Sequence, residues 1–422
     1  MGILQTLYYF LAPYTDARER KVGKFFAGLT EHSPGPSTRA RVIELLQRNI
    51  AVINLWTEYR YKGYNYLKKS KRRALYRNLD TIAQDFDQFY QQEKMSAEEV
   101  LLHIRGVAPE AHIGHDHAVL LQALIDYFSP SRGVYEYRES SSFGRLLRDP
   151  NTEPLIGDCN QIVTLYIYLF SRYFSVQDLK VRLLPGHVAL HAGGVDIEAT
   201  NGTFANYSDA EGQSLMPIEE IVSVNLLDTT DTHFAKHEVR PEDFLQASRY
   251  AFILSHNRDI VRHNLDAAYG ALINKLMERH NFTAALKFAK QSKDMELLAI
   301  VGNNGAVYHM EQHEFAAARR YAAYAMKRSE IIKESFHAEG LYHYQAHRYH
   351  EAIKAFHHFG DEALVKKCYE ALYIVEQEKL PTNLTSDSLK SYAPVVKRMY
   401  TFAKKSGNKE MLEHASGLRK YI

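Results

Sequence analysis

The residues able to do nucleophilic chemistry lie between Gly157 and Gly202. Gly157-Asp158-Cys159 opens the run NQIVTLYIYLFSRYF, which is apolar on most faces and reads as a buried helix. Cys159 therefore stands at a helix N-terminus, where the positive end of the helix dipole favours a thiolate. Backbone N–H groups left unpaired there are also suited to hold an oxyanion. Downstream, HVALHA and VDIEAT alternate and flank Gly193-Gly194, a hairpin signal because both turn residues tolerate positive φ. A two-residue turn sets Ala192 opposite Val195, His191 opposite Asp196 and Ala189 opposite Glu198. Positions 187, 189 and 191 then share a face with 196, 198 and 200. His187 and Glu198 become diagonal neighbours, so the carboxylate is able to fix an imidazole that serves the thiolate. A second pairing competes: His191 lies directly opposite Asp196, and if those two work together His187 is structural. A slip of one residue would turn every one of these side chains to the other face.

Two other clusters carry chemistry-bearing residues. AHIGHDH brings His112, His115, Asp116 and His117 together, a donor set a transition metal would accept. No second cluster completes a coordination shell, so neither a metal nor an organic cofactor is expected. The stretch Tyr59–Leu79 holds eight Lys and Arg residues, no acid, and five interleaved tyrosines. Single-stranded nucleic acid or an anionic surface would use such a pattern. The plainer reading is a solvated helix face whose tyrosines pack inward. A nucleic-acid partner is not expected.

The elements around these residues follow from pattern. Helical spacing of Val42, Leu45, Leu46, Ile50, Val52 and Ile53 predicts a helix from Thr38 to Trp56, after the break Ser33-Pro34-Gly35-Pro36-Ser37. Two more helices are predicted from Ser96 to about Phe128, the first opened by a capping box of Ser96 and Glu99. Residues 129–157 are rich in turn formers, including Ser140-Ser141-Ser142. After the Cys159 helix, Leu179–Leu183, His187–Ala192 and Val195–Thr200 read as strands, with Pro185-Gly186 turning between the first two. A helix followed by antiparallel strands marks an α+β domain.

From about Arg240 the chain is helical again, and a repeat appears. HNFTAALKFA, HEFAAARRYA and HRYHEAIKAF align without gaps, their leading aromatics Phe282, Phe315 and Tyr349 spaced 33 and 34 residues apart. Ala285, Ala318 and Ala352 each sit three residues later, and Gly340 precedes Tyr349 by nine. A period near 34 with small residues where two helices cross resembles tetratricopeptide repeats, and three repeats suffice for neighbours to bury one another's faces.

Composition bounds the reading. The 422 residues are 45% hydrophobic and 24% charged, with 52 Lys+Arg against 50 Asp+Glu and a net charge of +2. That describes a globular chain of two to three domains, not one held to nucleic acid by bulk charge. The two cysteines, Cys159 and Cys368, exclude a disulfide-rich scaffold and point to a reducing, cytoplasmic setting. The N-terminal apolar run is short and lacks basic residues ahead of it, so neither a signal peptide nor a membrane span is expected. Gly2 with Thr6 fits only the loose myristoylation pattern.

A cysteine at a helix start, a histidine on a strand and an acid on the next strand resemble the transglutaminase-like superfamily within the papain-type cysteine fold. The resemblance is nearest to a bacterial-type branch whose domain precedes tetratricopeptide repeats. Tyr135 to Leu147 corresponds to that branch's Tyr- and Ser-containing segment, Gly157 to its Gly, and Pro185-Gly186-His187 to its Pro-Gly-His turn. Ile197-Glu198-Ala199-Thr200-Asn201-Gly202 corresponds to its Ile-Asp-Pro-Phe-Asn-Gly. The match covers roughly residues 100–210 and the repeats, leaving the first 95 unmatched. It implies a nucleophile at Cys159, a general base and acid at His187 and an orienting acid at Glu198, where the family usually has Asp. Some members of the branch lack the cysteine, which this sequence has at Cys159.

The expected architecture is multidomain: a helical N-terminal region (1–95), an α+β transglutaminase-like, papain-type core (96–235) and an all-α tetratricopeptide-like solenoid (236–422). The expected activity is thiol-dependent acyl transfer or amide hydrolysis, with a protein or peptide partner bound by the repeats. The alternative is a catalytically inactive scaffold of the same build. Oligomeric state is not legible.

Overall fold

The computed structural model describes residues 8–9, 11–33, 35–93, 95–139, 142–228, 239–383 and 385–422; in Ile260, Ser386 and Asp387 only the backbone is described. Gly2 and Thr6, Pro34, Ser140 and Ser141, and the expected boundary at 235/236 lie outside these residues. Packing divides the chain into two compact units, Met1–Ala268 and Tyr269–Ile422.

In the first unit the helices α1 (Ala17–Ala27), α2 (Gly35–Tyr61) and α3 (Lys69–Gln92) precede α4 (Ala97–Val107) and α5 (His115–Tyr127). The predicted helix Thr38–Trp56 is thus longer at both ends, and it kinks at Asn49, whose backbone leaves the helical region. Ser96 caps α4, its hydroxyl accepting the Glu99 N–H at 3.4 Å; of the expected capping box this is the half that forms, the Ser96 hydroxyl donating to Glu98 at 3.1 Å. The basic stretch explains itself in packing. Tyr64 and Tyr76 are buried. Arg72 is wholly buried too: it pairs with Glu19 at 2.7 Å, donates to the Leu67 and Pro13 carbonyls, and lies over the Tyr59 ring. Lys68, Lys71, Arg73 and Arg77 keep to the exposed face. The solvated-face reading therefore holds for those residues, with Arg72 and Lys62 drawn inside, the latter donating to the Asn225 carbonyl at 3.1 Å.

The strands β1 (Tyr135–Tyr137) and β2 (Leu155–Gly157) pair in parallel around the short helix α6 (Phe143–Leu146). The sequence had signalled turns here and no strand; three-residue strands carry no detectable period. Next comes α7 (Cys159–Phe170), buried along most of its length as its apolar run demands. A five-stranded antiparallel sheet follows, of β3 (Lys180–Leu184), β4 (His187–Ala192), β5 (Val195–Glu198), β6 (Thr203–Ala205) and β7 (Ser214–Pro217), in the order β6-β5-β4-β3-β7. Val188, Leu190, Ala192, Val195 and Ile197 join the helices in one hydrophobic core. Helices α8 (Glu220–Leu227), α9 (Pro241–Leu254) and α10 (Arg258–Glu278) come next in the chain.

The second unit is helical among the described residues. Phe282–Ser292 and Met295–Glu311, Phe315–Ala322 and Arg328–Gln345, and Tyr349–Phe359 and Glu362–Gln377 form three successive helix pairs, each helix packing on the next. Ala285, Ala318 and Ala352 are fully buried at the crossings. At Gly340 a Cβ would lie 2.5 Å from Phe356 Cδ1, far inside van der Waals contact, so only glycine lets those helices approach. His280, His313 and His347 open each pair with positive φ, at 56°, 60° and 58°. His280 stacks on Tyr308 and His313 on Tyr342. The histidine that begins each repeat motif thus fills one turn position. Among the described residues no helix is long and apolar enough to cross a membrane.

Candidate active site

The hairpin turns on Gly193 and Gly194, both at positive φ (54° and 91°), and its register sets Leu190 opposite Ile197, His191 opposite Asp196 and Ala192 opposite Val195. This is the register that alternation and the Gly-Gly turn dictate. A Cβ at Gly193 would lie 2.8 Å from the His112 carbonyl oxygen, and the His112 N–H donates to the Gly193 carbonyl at 2.6 Å. The loop before α5 therefore buttresses the turn. His117, in the first turn of α5, pairs with Asp178 at 3.0 Å and stacks on Phe174. No group of three or more His, Cys, Asp or Glu among the described residues is placed to hold a metal ion.

Cys159 is the first residue of α7 and is partly exposed. Asp158 caps the helix, its carboxylate accepting the N–H of Asn160 at 3.1 Å and of Gln161 at 3.4 Å, while the Gln161 side chain accepts the Asp158 N–H at 3.0 Å. Gly157 is required for that return bond, because a Cβ there would sit 2.9 Å from Gln161 Oε1. The capping box corrects the expectation of several free amides at the thiol. Asp158 takes two of them, and Cys159's own N–H is the first-turn donor it leaves. Gln161 is buried in the cap and is no candidate for a second oxyanion donor.

His187, at the start of β4, is close enough to the Cys159 thiol for the sulfur to act on its titration. Its Nε2 meets Glu198 Oε2 at 2.6 Å, so Nδ1 is the ring nitrogen the acid does not engage. The bond with Cys159 and then the one with Glu198 raise the His187 pKa to about 10, against the opposing effect of burial. Glu198 is almost fully buried. Burial alone would raise its pKa, but hydrogen bonds from His187 and Thr200 overcome that and hold it below the usual carboxylate range. Cys159, His187 and Glu198 thus form one contiguous chain of groups.

His191 and Asp196 also pair, at 2.8 Å, but in a different setting. Asp196 is 1% exposed and accepts from Arg182 Nε at 3.0 Å and from the Tyr207 N–H at 2.8 Å. Its carboxylate is spent on holding β3, β4 and the segment after β6 together. Arg182, Thr200 and Tyr207 are the neighbours sequence reasoning missed as partners. Thr200 had been placed on the same face as Glu198, whereas Tyr207 follows an irregular turn that gives no periodic signal.

The segment leading to the thiol is held from behind. Glu58 of α2, buried and raised to about 7 chiefly by desolvation, accepts the N–H groups of Phe143 and Gly144 and the Ser142 hydroxyl. The Tyr135 hydroxyl donates to the Gly157 carbonyl at 2.8 Å, tying β1 to the residue before the cap.

No protein-family model matches this sequence, and no curated protein does. Among solved structures the chain is similar to menin, in a crystal structure that reveals its binding site for Mixed Lineage Leukemia (MLL) protein. The identity is 12%, the match covers 92% of this chain and 97% of that one, and the TM-score is 0.35.

Proposed function

We propose that this chain is a cysteine-dependent amide hydrolase or acyltransferase of the transglutaminase-like type, working in the cytoplasm, with tetratricopeptide-like helices that bind a protein or peptide. The observation that carries the reading is the contiguity of Cys159, His187 and Glu198. Cys159 Sγ attacks a carboxamide carbonyl, and the oxyanion is met by the Cys159 N–H. The C–N bond breaks with a proton passing from His187 to the departing amine, leaving a thioester. His187 then takes a proton from water or from an amine, which displaces the sulfur as hydrolysis or transamidation. Glu198 keeps the imidazole oriented and offsets its charge. In the helical unit the second helix of each pair carries an exposed apolar residue, Val307, Leu341 and Ile374 in turn, available to an apolar partner.

Iodoacetamide labelling with mapping of the label tests the chemistry. At about pH 6, well below the ordinary thiol range, Cys159 should alkylate much faster than free glutathione. A rate no greater than glutathione's would remove the enzymatic reading and leave a repeat-bearing binding protein.

A further inference from the structure

We infer that Tyr207 is a positioning residue for the acid of the Cys159–His187–Glu198 chain. The His191–Asp196–Arg182 cluster is the anchor that fixes Tyr207. The inference rests on the reading above and deepens it.

Glu198 has one methylene more than the aspartate the family resemblance implies, so its carboxylate needs more fixing to present one oxygen to His187. Both oxygens are in fact held. Oε1 accepts the Thr200 N–H at 3.2 Å and the Thr200 hydroxyl; Oε2 accepts from His187 Nε2 at 2.6 Å and from the Tyr207 hydroxyl at 3.0 Å. Tyr207 therefore shares with the imidazole the one oxygen through which Glu198 acts. Its phenol stays protonated and able to donate, since burial and then the charge of Glu198 push it up to about 12.

The same residue is fixed from the other side. Its backbone N–H donates to Asp196 Oδ2 at 2.8 Å, while Asp196 Oδ1 is gripped by His191 and Arg182. Arg182 reaches on to Gln213 Oε1, and Gln213 Nε2 donates to the Ser208 carbonyl at 3.1 Å. Successive acids on one face of β5, Asp196 and Glu198, are thus bridged by Tyr207, one through its amide and the other through its hydroxyl. This gives the second histidine–acid pair its place: it holds the tyrosine that holds the working carboxylate. The titratable groups that act on Glu198 or Tyr207 are His187 from β4, Asp196 from β5, and Tyr135 and Tyr166 from β1 and α7, with Cys159 beyond His187.

The test is the pH profile of Cys159 alkylation in the full chain, wild type against Tyr207→Phe. Phenylalanine keeps the amide bond to Asp196 and the ring, and removes only the hydroxyl. Without that donor Glu198 Oε2 supports the imidazolium more strongly, which favours the neighbouring thiolate, so the acid limb of the profile should move down by up to about one pH unit. Thermal unfolding should be little changed. Superimposable profiles would overturn the inference. A second arm separates it from the enzymatic reading. In a Cys159→Ala background, NMR titration of His187 should show its midpoint raised by Tyr207→Phe, because Oε2 then accepts from the imidazole alone. An unchanged or lowered midpoint would overturn the role of Tyr207. A sluggish wild-type Cys159 would instead defeat the enzymatic reading while leaving the His187 titration to decide the role of Tyr207.

Discussion

Cys159 and Cys368 sit in helices that begin alike. Asp158 caps α7 by accepting two backbone N–H groups, and Asp361 caps Glu362–Gln377 in the same way, from Ala363 at 2.9 Å and Leu364 at 3.0 Å. The difference is where the cysteine falls relative to the cap. Cys159 is the first helical residue, partly exposed and against an imidazole. Cys368 lies well inside its helix, fully buried with Ala352, Phe356, Val365 and Leu372, and burial pushes its thiol up to about 11. One side chain is thus set at an open helix start in one unit and as a small hydrophobe in the other, and a shift of six residues along the helix separates the two settings.

The largest break in that comparison should come from His187→Ala. It removes the group that pairs with the thiol, and alkylation of Cys159 at about pH 6 should fall roughly 100-fold, the lower range of what a positioned acid–base group supplies. Cys368 should stay unlabelled in either protein until the chain is unfolded. The same pair makes the first unit's stability depend on pH. A histidine whose folded pKa is raised from 6.5 to about 10 contributes stability that is fully present below the first value and lost as pH rises through the second. Urea midpoints should therefore decline across that window in wild type and decline less in His187→Ala.

How much of this was legible differs between the two regions for physical reasons. The hairpin register could be read because Gly-Gly and strict alternation leave one pairing that buries Val188, Leu190 and Ile197. The repeat could be read because the alanines and Gly340 recur where backbones must touch. Arg72 could not be seen as buried, since its partner Glu19 lies 53 positions earlier and charge alone suggests exposure. Nor could the bonds of Glu58 to Phe143 and Gly144, or of Tyr207 to Glu198, because contacts between irregular segments leave no period. The expected pair His187–Glu198 and its competitor His191–Asp196 both form, and only the company each acid keeps separates them.

Conservative replacement of the sulfur should sharpen the contrast at smaller scale. Cys368→Ser puts a hydroxyl among apolar side chains, with only the carbonyl one turn back to accept from it, and should cost about 1–2 kcal/mol in the second unit's denaturant unfolding. Cys159→Ser, at a partly exposed helix end, should fall within about 0.5 kcal/mol of wild type. Equal losses at both positions would mean that the Cys159 site is packed as a core and is not open to a substrate.

The smallest effects concern the caps themselves. Asp158→Ala and Asp361→Ala should each cost about 1 kcal/mol, since each helix loses an acceptor for two N–H groups. Their chemical consequences should nonetheless diverge. At Asp361 the lost cap lies far along the helix from a buried thiol, and Cys368 should remain unlabelled. At Asp158 the substitution frees the Asn160 and Gln161 amides and removes a carboxylate one residue from the sulfur, and both changes favour an anion there. Alkylation of Cys159 at about pH 6 should therefore rise a few-fold while stability falls, the two readouts moving in opposite directions. Slower alkylation in Asp158→Ala would show that the cap's service is to aim the thiol at His187, an effect larger than the electrostatic repulsion it exerts.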